Sequence, residues 1–265
     1  QKIIDQVRPW TDKEWKTWED FVEKNYGIKK NDMNQNHFFL HIIPKVIVLH
    51  GFGDPLLDKK LASRIKILSE KGIGSYFSCN PSNISVKKNI EMMESGLNYL
   101  KYSIDSIDNV THKELRGTAS NYTKAYTKIM ETIEQKEKKG LKTKVVITMI
   151  DLQRPTQMEE WEQLQEVFKG ANVYIYLKSQ DQTWYDDIQG KKDRHAADGR
   201  SVDWSEFCHF PWSSFAIKSN GEVAMCTEDY NNEIILGDIN KESLYAIWNG
   251  EKYKKFRKTH FDNKT

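Results

Sequence analysis

Cysteine is scarce in this chain, since only Cys79, Cys208 and Cys226 occur among its 265 residues. Three cysteines do not form the disulfide framework of a small secreted domain, so we expect a reducing, cytoplasmic environment. Long apolar runs are also lacking, because none approaches the roughly 20 residues that cross a bilayer. The N-terminus shows no signal-peptide pattern. The sequence therefore predicts no membrane partner.

An excess of either charge is lacking as well. Lys and Arg number 40 against 38 Asp and Glu, which leaves a net charge of +2. This balance gives no sign of the basic surface that nucleic-acid-binding proteins carry, so we expect no nucleic acid partner. The chain does have a globular composition, with 38% hydrophobic and 12% aromatic residues, and it is long enough to bury a large core.

Short apolar runs alternate with amphipathic stretches over the first two thirds of the chain. Residues 45–50 have the pattern of a strand buried on both faces. Further strands are predicted at residues 73–78, 99–104, 144–150 and 173–177, and helices at residues 61–71, 85–94, 122–139 and 158–168. This rhythm predicts an α/β fold with a parallel sheet, either an open doubly wound sheet or a partial barrel.

The first predicted helix begins at a capping box in residues 11–14 and ends at Gly27. Trp15, Trp18, Phe21 and Val22 fall on one face of it, and we expect them to pack in the core. Residues 1–7 have the pattern of the tail of an earlier helix.

The composition and hydrophobic pattern of the sequence change after residue 180. Residues 181–207 are polar and irregular and are predicted to be a linker. Beyond them, Asn220-Gly221 between alternating apolar residues predicts a hairpin, and residues 243–258 predict a final helix. We expect a first domain at residues 1–180, a linker at 181–207 and a small second domain at 208–265.

Glycine and acidic residues follow the first predicted strand, in the segment Gly51-Phe52-Gly53-Asp54-Pro55. The glycines would let the backbone approach a ligand, and Asp54 could accept from a ligand ammonium group. A dinucleotide-binding fingerprint would need glycine at position 56, where Leu56 stands, so that site is excluded. A tight turn without a ligand explains the segment equally well.

Polar residues also follow the other predicted strands. Asn80 ends the second strand, Ser103 and Asp105 end the third, and Arg116 lies further along the same connection. Residues 148–151 and 178–179 end the fourth and fifth strands. The carboxyl ends of parallel strands meet at one edge, where α/β proteins bind ligands, so we expect these side chains to share a site.

Together with a C-terminal block, these segments resemble the radical S-adenosylmethionine (SAM) enzymes that carry a SPASM or twitch extension. Residues 52–55 resemble the family's Gly-Gly-Glu-Pro segment, with Phe52 for Gly and Asp54 for Glu. Residues 79–81 resemble its Thr-Asn-Gly, residues 103–106 its Ser-Ile-Asp-Gly, and residues 112–117 its His-x3-Arg-Gly. The resemblance implies that Gly51, Phe52, Gly53, Asp54, Asn80, Ser103, Asp105 and Arg116 contact SAM.

The C-terminal resemblance is the spacing Cys208-x12-Gly221-x4-Cys226, which opens SPASM and twitch domains. It continues with Pro211-Trp212, residues 236–239 and Trp248-Asn249-Gly250. The resemblance implies that Cys208 and Cys226 bind an auxiliary [4Fe–4S] cluster, for which thiolates are the usual ligands. Without the flanking matches, the two cysteines would be ordinary buried thiols.

The family's Cys-x3-Cys-x2-Cys segment, which holds the SAM-binding [4Fe–4S] cluster, is absent from these 265 residues. We expect that segment to lie upstream in the intact protein and the fragment without it to be inactive. A cluster-free derivative of the same fold is the other explanation.

The resemblance implies a partial (β/α)6 TIM-like barrel followed by a small α+β SPASM- or twitch-like domain. It also implies reductive cleavage of SAM to a 5′-deoxyadenosyl radical, which abstracts hydrogen from a peptide or protein side chain. The electron would come from a donor such as flavodoxin or ferredoxin. Alternatives are a carbohydrate- or aminoglycoside-modifying enzyme, a cluster-free binding scaffold, and an ordinary α/β enzyme.

Overall fold

The first part of the chain is built around a sheet of five parallel strands, with spatial order equal to chain order. The computed structural model describes residues 2–29, 34–51, 53–179, 210–227, 229 and 232–262. The strands are β1 (Val46–Val48), β2 (Gly74–Cys79), β3 (Tyr99–Ser103), β4 (Lys144–Asp151) and β5 (Val173–Ser179). Sequential parallel neighbours joined by helices curl into an open barrel, so the predicted partial barrel is confirmed.

Helices connect the strands and precede the sheet. They are α1 (Asp12–Tyr26), α2 (Gln35–His37), a π-helix (Phe38–Ile42), α3 (Leu61–Glu70), α4 (Val86–Glu94), α5 (Asn109–Arg116), α6 (Tyr122–Lys138) and α7 (Gln157–Val167). Single 3₁₀ turns lie at Ile4–Gln6, Ile43–Lys45, Pro55–Leu57 and Pro81–Asn83. The predicted capping box of α1 is confirmed, because Thr11 and Glu14 bond reciprocally and Gly27 ends the helix at φ 67°.

The two faces of the sheet have different partners. The outer face packs on α3, α4, α6 and α7 through fully or nearly fully buried residues such as Ile65, Ile90, Ile129 and Leu164. The inner face has a smaller apolar layer, to which the π-helix contributes Phe38 and Ile42. The remaining members of that layer are Tyr76, Val146 and Tyr176.

Three local expectations were wrong. Residues 45–50 are not buried on both faces, because β1 pairs with β2 alone and Val48 is 38% exposed. Of the four residues on the apolar face of α1, only Val22 is fully buried, while Phe21 is 45% exposed and stacks on Trp18. Residues 4–6 form one 3₁₀ turn, and no α-helix is assigned in residues 2–7.

The chain divides into two units, Pro9–Gln180 and a second unit of Gln1–Arg8 with Asp181–Thr265. The second unit contains an antiparallel sheet of β6 (Ala216–Ile217), β7 (Glu222–Ala224) and β8 (Ile235–Asp238). Its helices are α8 (Phe210–Ser213), α9 (Leu244–Trp248) and α10 (Glu251–Phe261). The predicted hairpin is confirmed. The predicted linker at residues 181–207 lies outside the described residues.

The predicted single C-terminal helix is instead two helices that meet at Gly250. The Arg257 guanidinium donates to the carbonyl of Trp248, which the break leaves without a helical partner, and it stacks 4.1 Å from that indole ring. No helix in the described part of the chain is long and apolar enough to span a membrane.

Candidate functional site

The loop after β1 presents Asp54 with both carboxylate oxygens already oriented. Its Oδ1 accepts from the Leu56 N–H at 2.9 Å, and its Oδ2 accepts from Asn83 Nδ2 at 2.6 Å. The first bond caps the 3₁₀ turn at Pro55–Leu57, and the second joins this loop to the one after β2. Asp54 is therefore half-buried and held in one direction.

Gly51 and Gly53 leave room beside that carboxylate. No atom lies within 4 Å of the position that a Cβ would occupy at either residue. Gly53 has φ 102°, a backbone conformation that a residue with a side chain rarely adopts. Phe52 lies outside the described residues.

The ends of β2 and β3 add hydroxyl and amide groups. Ser78 and Ser103, on neighbouring strands, place their Oγ atoms 3.3 Å apart. Asn80 Oδ1 accepts from the Ser82 N–H at 3.0 Å and so caps its own turn. Ser103 is thus within reach of a ligand on the inner face, while the contact of Asn80 is local.

Asp105 follows β3 and is buried, with an exposed fraction of 5%. It forms an ion pair with Arg116 Nη2, and its Oδ1 accepts from the Ile150 N–H at 3.3 Å. The Arg116 Nε is buried and has no hydrogen-bond partner among the described residues. The guanidinium expected to meet SAM is therefore already neutralised on one side by Asp105.

A second ion pair supports the same turn and was not predicted. Arg154 Nη1 donates to Glu160 Oε1 at 2.6 Å, and its Nη2 donates to the Asp105 carbonyl at 2.9 Å. Glu160 also accepts from the Ser106 hydroxyl at 2.6 Å and from the Ile107 N–H at 3.2 Å. These contacts connect the end of β3 to the start of α7.

The inner wall of the barrel carries basic residues that sequence analysis did not single out as a group. His50 follows β1, Lys101 lies on β3 and Lys178 lies on β5. His50 Nδ1 accepts from the Ser78 N–H at 3.2 Å, which places the proton of a neutral ring on Nε2. Burial, and then the charges of Lys101 and Lys178, lower the pKa of His50 to about 4.

In the C-terminal unit, glycine is required at two places near Cys226. A Cβ at Gly221 would lie 2.2 Å from Asn240 Nδ2, which donates to the Asn220 carbonyl. A Cβ at Gly237 would lie 2.6 Å from Ile247. These contacts explain two glycines of the C-terminal pattern. Cys226 follows β7 and is half-buried, and Cys208 lies outside the described residues.

Metal ligands do not cluster in the described ranges, where no group of three or more His, Cys, Asp or Glu side chains could hold a metal ion. Cys79 is buried at the end of β2, and burial raises the pKa of its thiol well above the ordinary value. A buried thiol of this kind is typical of a cysteine that packs in the core.

Comparisons with known proteins identify the C-terminal unit and the fold. Residues 208–265 match the SPASM family, an iron–sulfur cluster-binding domain. SuiB of Streptococcus suis bound to S-adenosylmethionine has a TM-score of 0.58 and 14% identity, over 77% of this chain and 55% of SuiB. The chain has the radical SAM fold and carries a SPASM domain.

Two further solved radical SAM enzymes are similar to this chain. One is anSMEcpe with bound AdoMet, with a TM-score of 0.50 and 13% identity over 79% of this chain and 65% of that one. The other is BtrN in complex with AdoMet and 2-DOIA, with a TM-score of 0.46 and 14% identity over 95% of this chain and 74% of BtrN. No curated protein sequence matches the chain.

In this radical SAM fold, replacing Lys101 with Met should raise the pKa of His50, because one of the two positive charges near the imidazole is removed. NMR titration of the His50 ring measures the change, with Lys142→Met as control because Lys142 is exposed in the loop before β4 and is not among the charges that lower the pKa of His50. An unchanged pKa of His50 in Lys101→Met would contradict the effect of the Lys101 charge on the imidazole.

Replacing Glu160 with Gln should destabilise the protein by about 3–5 kcal/mol, because it leaves the Arg154 charge buried without a partner. Burial alone would raise the pKa of Glu160, but its bonds from Arg154, Ser106 and Thr156 outweigh burial and lower it. The stabilisation is therefore present above the ordinary glutamate pKa and is lost as pH falls through the lowered value.

Thermal unfolding as a function of pH measures this effect. Glu166→Gln is the control, since Glu166 lies on the same helix as Glu160 but forms an exposed pair with Lys169. Equal melting temperatures for the two variants would contradict the role of Glu160.

Proposed function

We propose that the intact protein is a radical SAM enzyme that modifies a peptide or protein side chain. The observation that carries the proposal is the set of polar groups at the carboxyl edge of the barrel, on a chain whose C-terminal unit matches a SPASM domain. Support for a peptide substrate is the likeness to SuiB, which has been solved bound to its precursor peptide SuiA.

The residues of the β1 loop fit the methionyl amino group of SAM. A carboxylate offers about four acceptor directions, and N–H groups of the protein use two of those of Asp54. The remaining directions can accept from a ligand ammonium group, and the space beside Gly51 and Gly53 admits it. Asp54, Gly51, Phe52 and Gly53 are therefore proposed to hold that end of SAM.

Ser103 and Arg116 are proposed to contact other polar groups of SAM. Ser103 presents a hydroxyl on the inner face of β3, and Asn80 and Asp105 hold the adjacent turns in place. The Arg116 Nε is buried and has no hydrogen-bond partner among the described residues. It can therefore still donate to a carboxylate while Nη2 of the same guanidinium pairs with Asp105.

When bound, a reduced [4Fe–4S] cluster would supply the electron that cleaves SAM to methionine and a 5′-deoxyadenosyl radical, which takes hydrogen from the substrate. The residues of this chain bind and orient SAM and keep water away from the barrel interior. Cys208 and Cys226 are proposed ligands of an auxiliary cluster, and flavodoxin or ferredoxin is the proposed electron donor.

Asp54→Asn should weaken SAM binding by about tenfold or more, because a charged hydrogen bond to the amino group becomes a neutral one. The substitution keeps an oxygen that can cap Leu56. Isothermal titration of the full-length, cluster-loaded protein measures the affinity, and Asp58→Asn is the control, since Asp58 caps Lys60 in the same connection. Equal SAM affinity for wild type and Asp54→Asn would remove Asp54 from the site.

Cys226→Ala should lower the iron content of the anaerobically reconstituted protein by about one cluster, because a thiolate ligand is lost. Cys79→Ala should retain all iron, since Cys79 packs in the core of the barrel. Iron and sulfide analysis measures both variants. Full iron occupancy in Cys226→Ala would exclude Cys226 as a ligand.

A further inference from the structure

A continuous series of hydrogen bonds joins the loop that carries Asp54 to the helix end that carries Arg116. The first bond runs from Asn83 Nδ2 to Asp54 Oδ2, at 2.6 Å. Asn83 belongs to the turn after β2, so this bond holds the carboxylate from outside its own loop. The two residues proposed for the amino and carboxylate groups of SAM are therefore connected through a third segment of the barrel edge.

The loop after β1 needs such an outside contact. Gly51 and Gly53 both have open space where a Cβ would lie, and Gly53 has φ 102°. Glycine restricts the backbone less than any other residue, so the loop alone leaves the direction of its carboxylate weakly determined. The bond from Asn83 to Asp54 supplies the missing restraint.

The 3₁₀ turn at Pro81–Asn83 is the rigid middle of the series. The Asn80 Oδ1 accepts from the Ser82 N–H at 3.0 Å, and the Asn80 carbonyl accepts from the Asn83 N–H at 3.2 Å. Pro81 is buried, and its ring fixes φ at the first position of the turn. Ser82 and Asn83 are therefore held in a fixed relation to each other, although their side chains bond to different neighbours.

On its other side the turn reaches the end of α5. The Ser82 hydroxyl donates to Ser120 Oγ at 2.9 Å, and the Ser120 hydroxyl donates to the Arg116 carbonyl at 3.1 Å. Ser120 is 6% exposed, and its N–H donates to the Gly117 carbonyl at 2.9 Å. Carbonyls in the last turn of a helix lack helical donors, so Ser120 supplies them and fixes the residue at which α5 ends.

These three residues, Asn83, Ser82 and Ser120, are called the hydrogen-bond bridge. We propose that the bridge positions Asp54 and Arg116 at the separation that the amino and carboxylate groups of SAM require. Both groups are attached to one carbon of SAM, so an acceptor and a donor that are already in register lose less freedom on binding. The bridge residues act through Asp54 and Arg116 and need not touch SAM. This inference rests on the proposed function and adds three positioning residues to it.

Calorimetric titration of the full-length, cluster-loaded protein with SAM tests the bridge. Asn83→Ala breaks its bond to Asp54, and Ser120→Ala breaks its bond to the Arg116 carbonyl. We expect each variant to bind SAM about fivefold more weakly, which is the effect of one lost hydrogen bond.

The controls remove equivalent hydrogen bonds elsewhere in the barrel. Asn172→Ala removes an exposed amide that donates to Glu137 Oε1, as the amide of Asn83 donates to a carboxylate. Ser95→Ala removes a hydroxyl that donates to the carbonyl of Glu91, four residues earlier, as the hydroxyl of Ser120 does at α5. Neither control should change the affinity for SAM.

Two further measurements separate positioning from a general loss of structure. 5′-Methylthioadenosine lacks both the amino and the carboxylate group, so its affinity should be the same in Asn83→Ala, Ser120→Ala and the wild type. In the double variant, the loss of SAM affinity should be smaller than the product of the two single fold-changes, because either break alone releases the bridge.

Unchanged SAM affinity in either single variant, a fully multiplicative loss in the double variant, or an equal loss of affinity for 5′-methylthioadenosine would overturn the bridge. Ser82→Ala breaks the middle bond and replaces Ser120→Ala if that variant fails to fold. Failure of the proposed function is distinct, because it would appear as absence of SAM binding in the wild type or as no effect of Asp54→Asn.

Discussion

The arrangement of the site depends on the buried carboxylate of Asp105. It is fixed by Arg116 on α5 and by the Ile150 N–H on β4, while its backbone carbonyl accepts from Arg154. Arg154 is in turn held by Glu160 on α7. Because charges buried in a protein must be paired, loss of any member leaves an uncompensated charge. The geometry of the turn after Ser103 is therefore set by groups on β4, on the helices α5 and α7, and in the loop between β4 and α7.

The second constraint is the difference between the two faces of the sheet. The outer face of the sheet packs against the helices through apolar side chains. Because that packing forms the main core, the inner face can carry polar side chains near the carboxyl ends of the strands. Lys101 and Thr148 are buried polar residues on this inner face.

Sequence patterns predicted the parallel sheet and the hairpin at Asn220-Gly221, because strand alternation and turn residues are local signals. They did not predict the pairing of Arg154 with Glu160 and of Glu160 with Ser106, since Ser106 is 54 residues away in the chain. Lys101 could have been found, because it stands two residues before Ser103 on the same face of an otherwise apolar strand.

Other differences arose from tertiary context. The strand at Val46–Val48 is short and partly exposed because it has one neighbour in the sheet. The break at Gly250 is stabilised by Arg257, which donates to the Trp248 carbonyl. The helical periodicity of the sequence does not indicate this contact. The positions of Gly51, Gly53, Asp54 and Ser103 at one edge follow from the sheet topology, whereas their contact with SAM remains a prediction.

The central claim is that this fold serves radical chemistry on SAM. The most direct measurement is the amount of 5′-deoxyadenosine formed from SAM by the full-length protein, purified and reconstituted without oxygen, after addition of a chemical reductant. The account predicts release of 5′-deoxyadenosine that requires both the reductant and bound iron. Binding of SAM without its cleavage, in protein that holds its full complement of iron, would contradict the account.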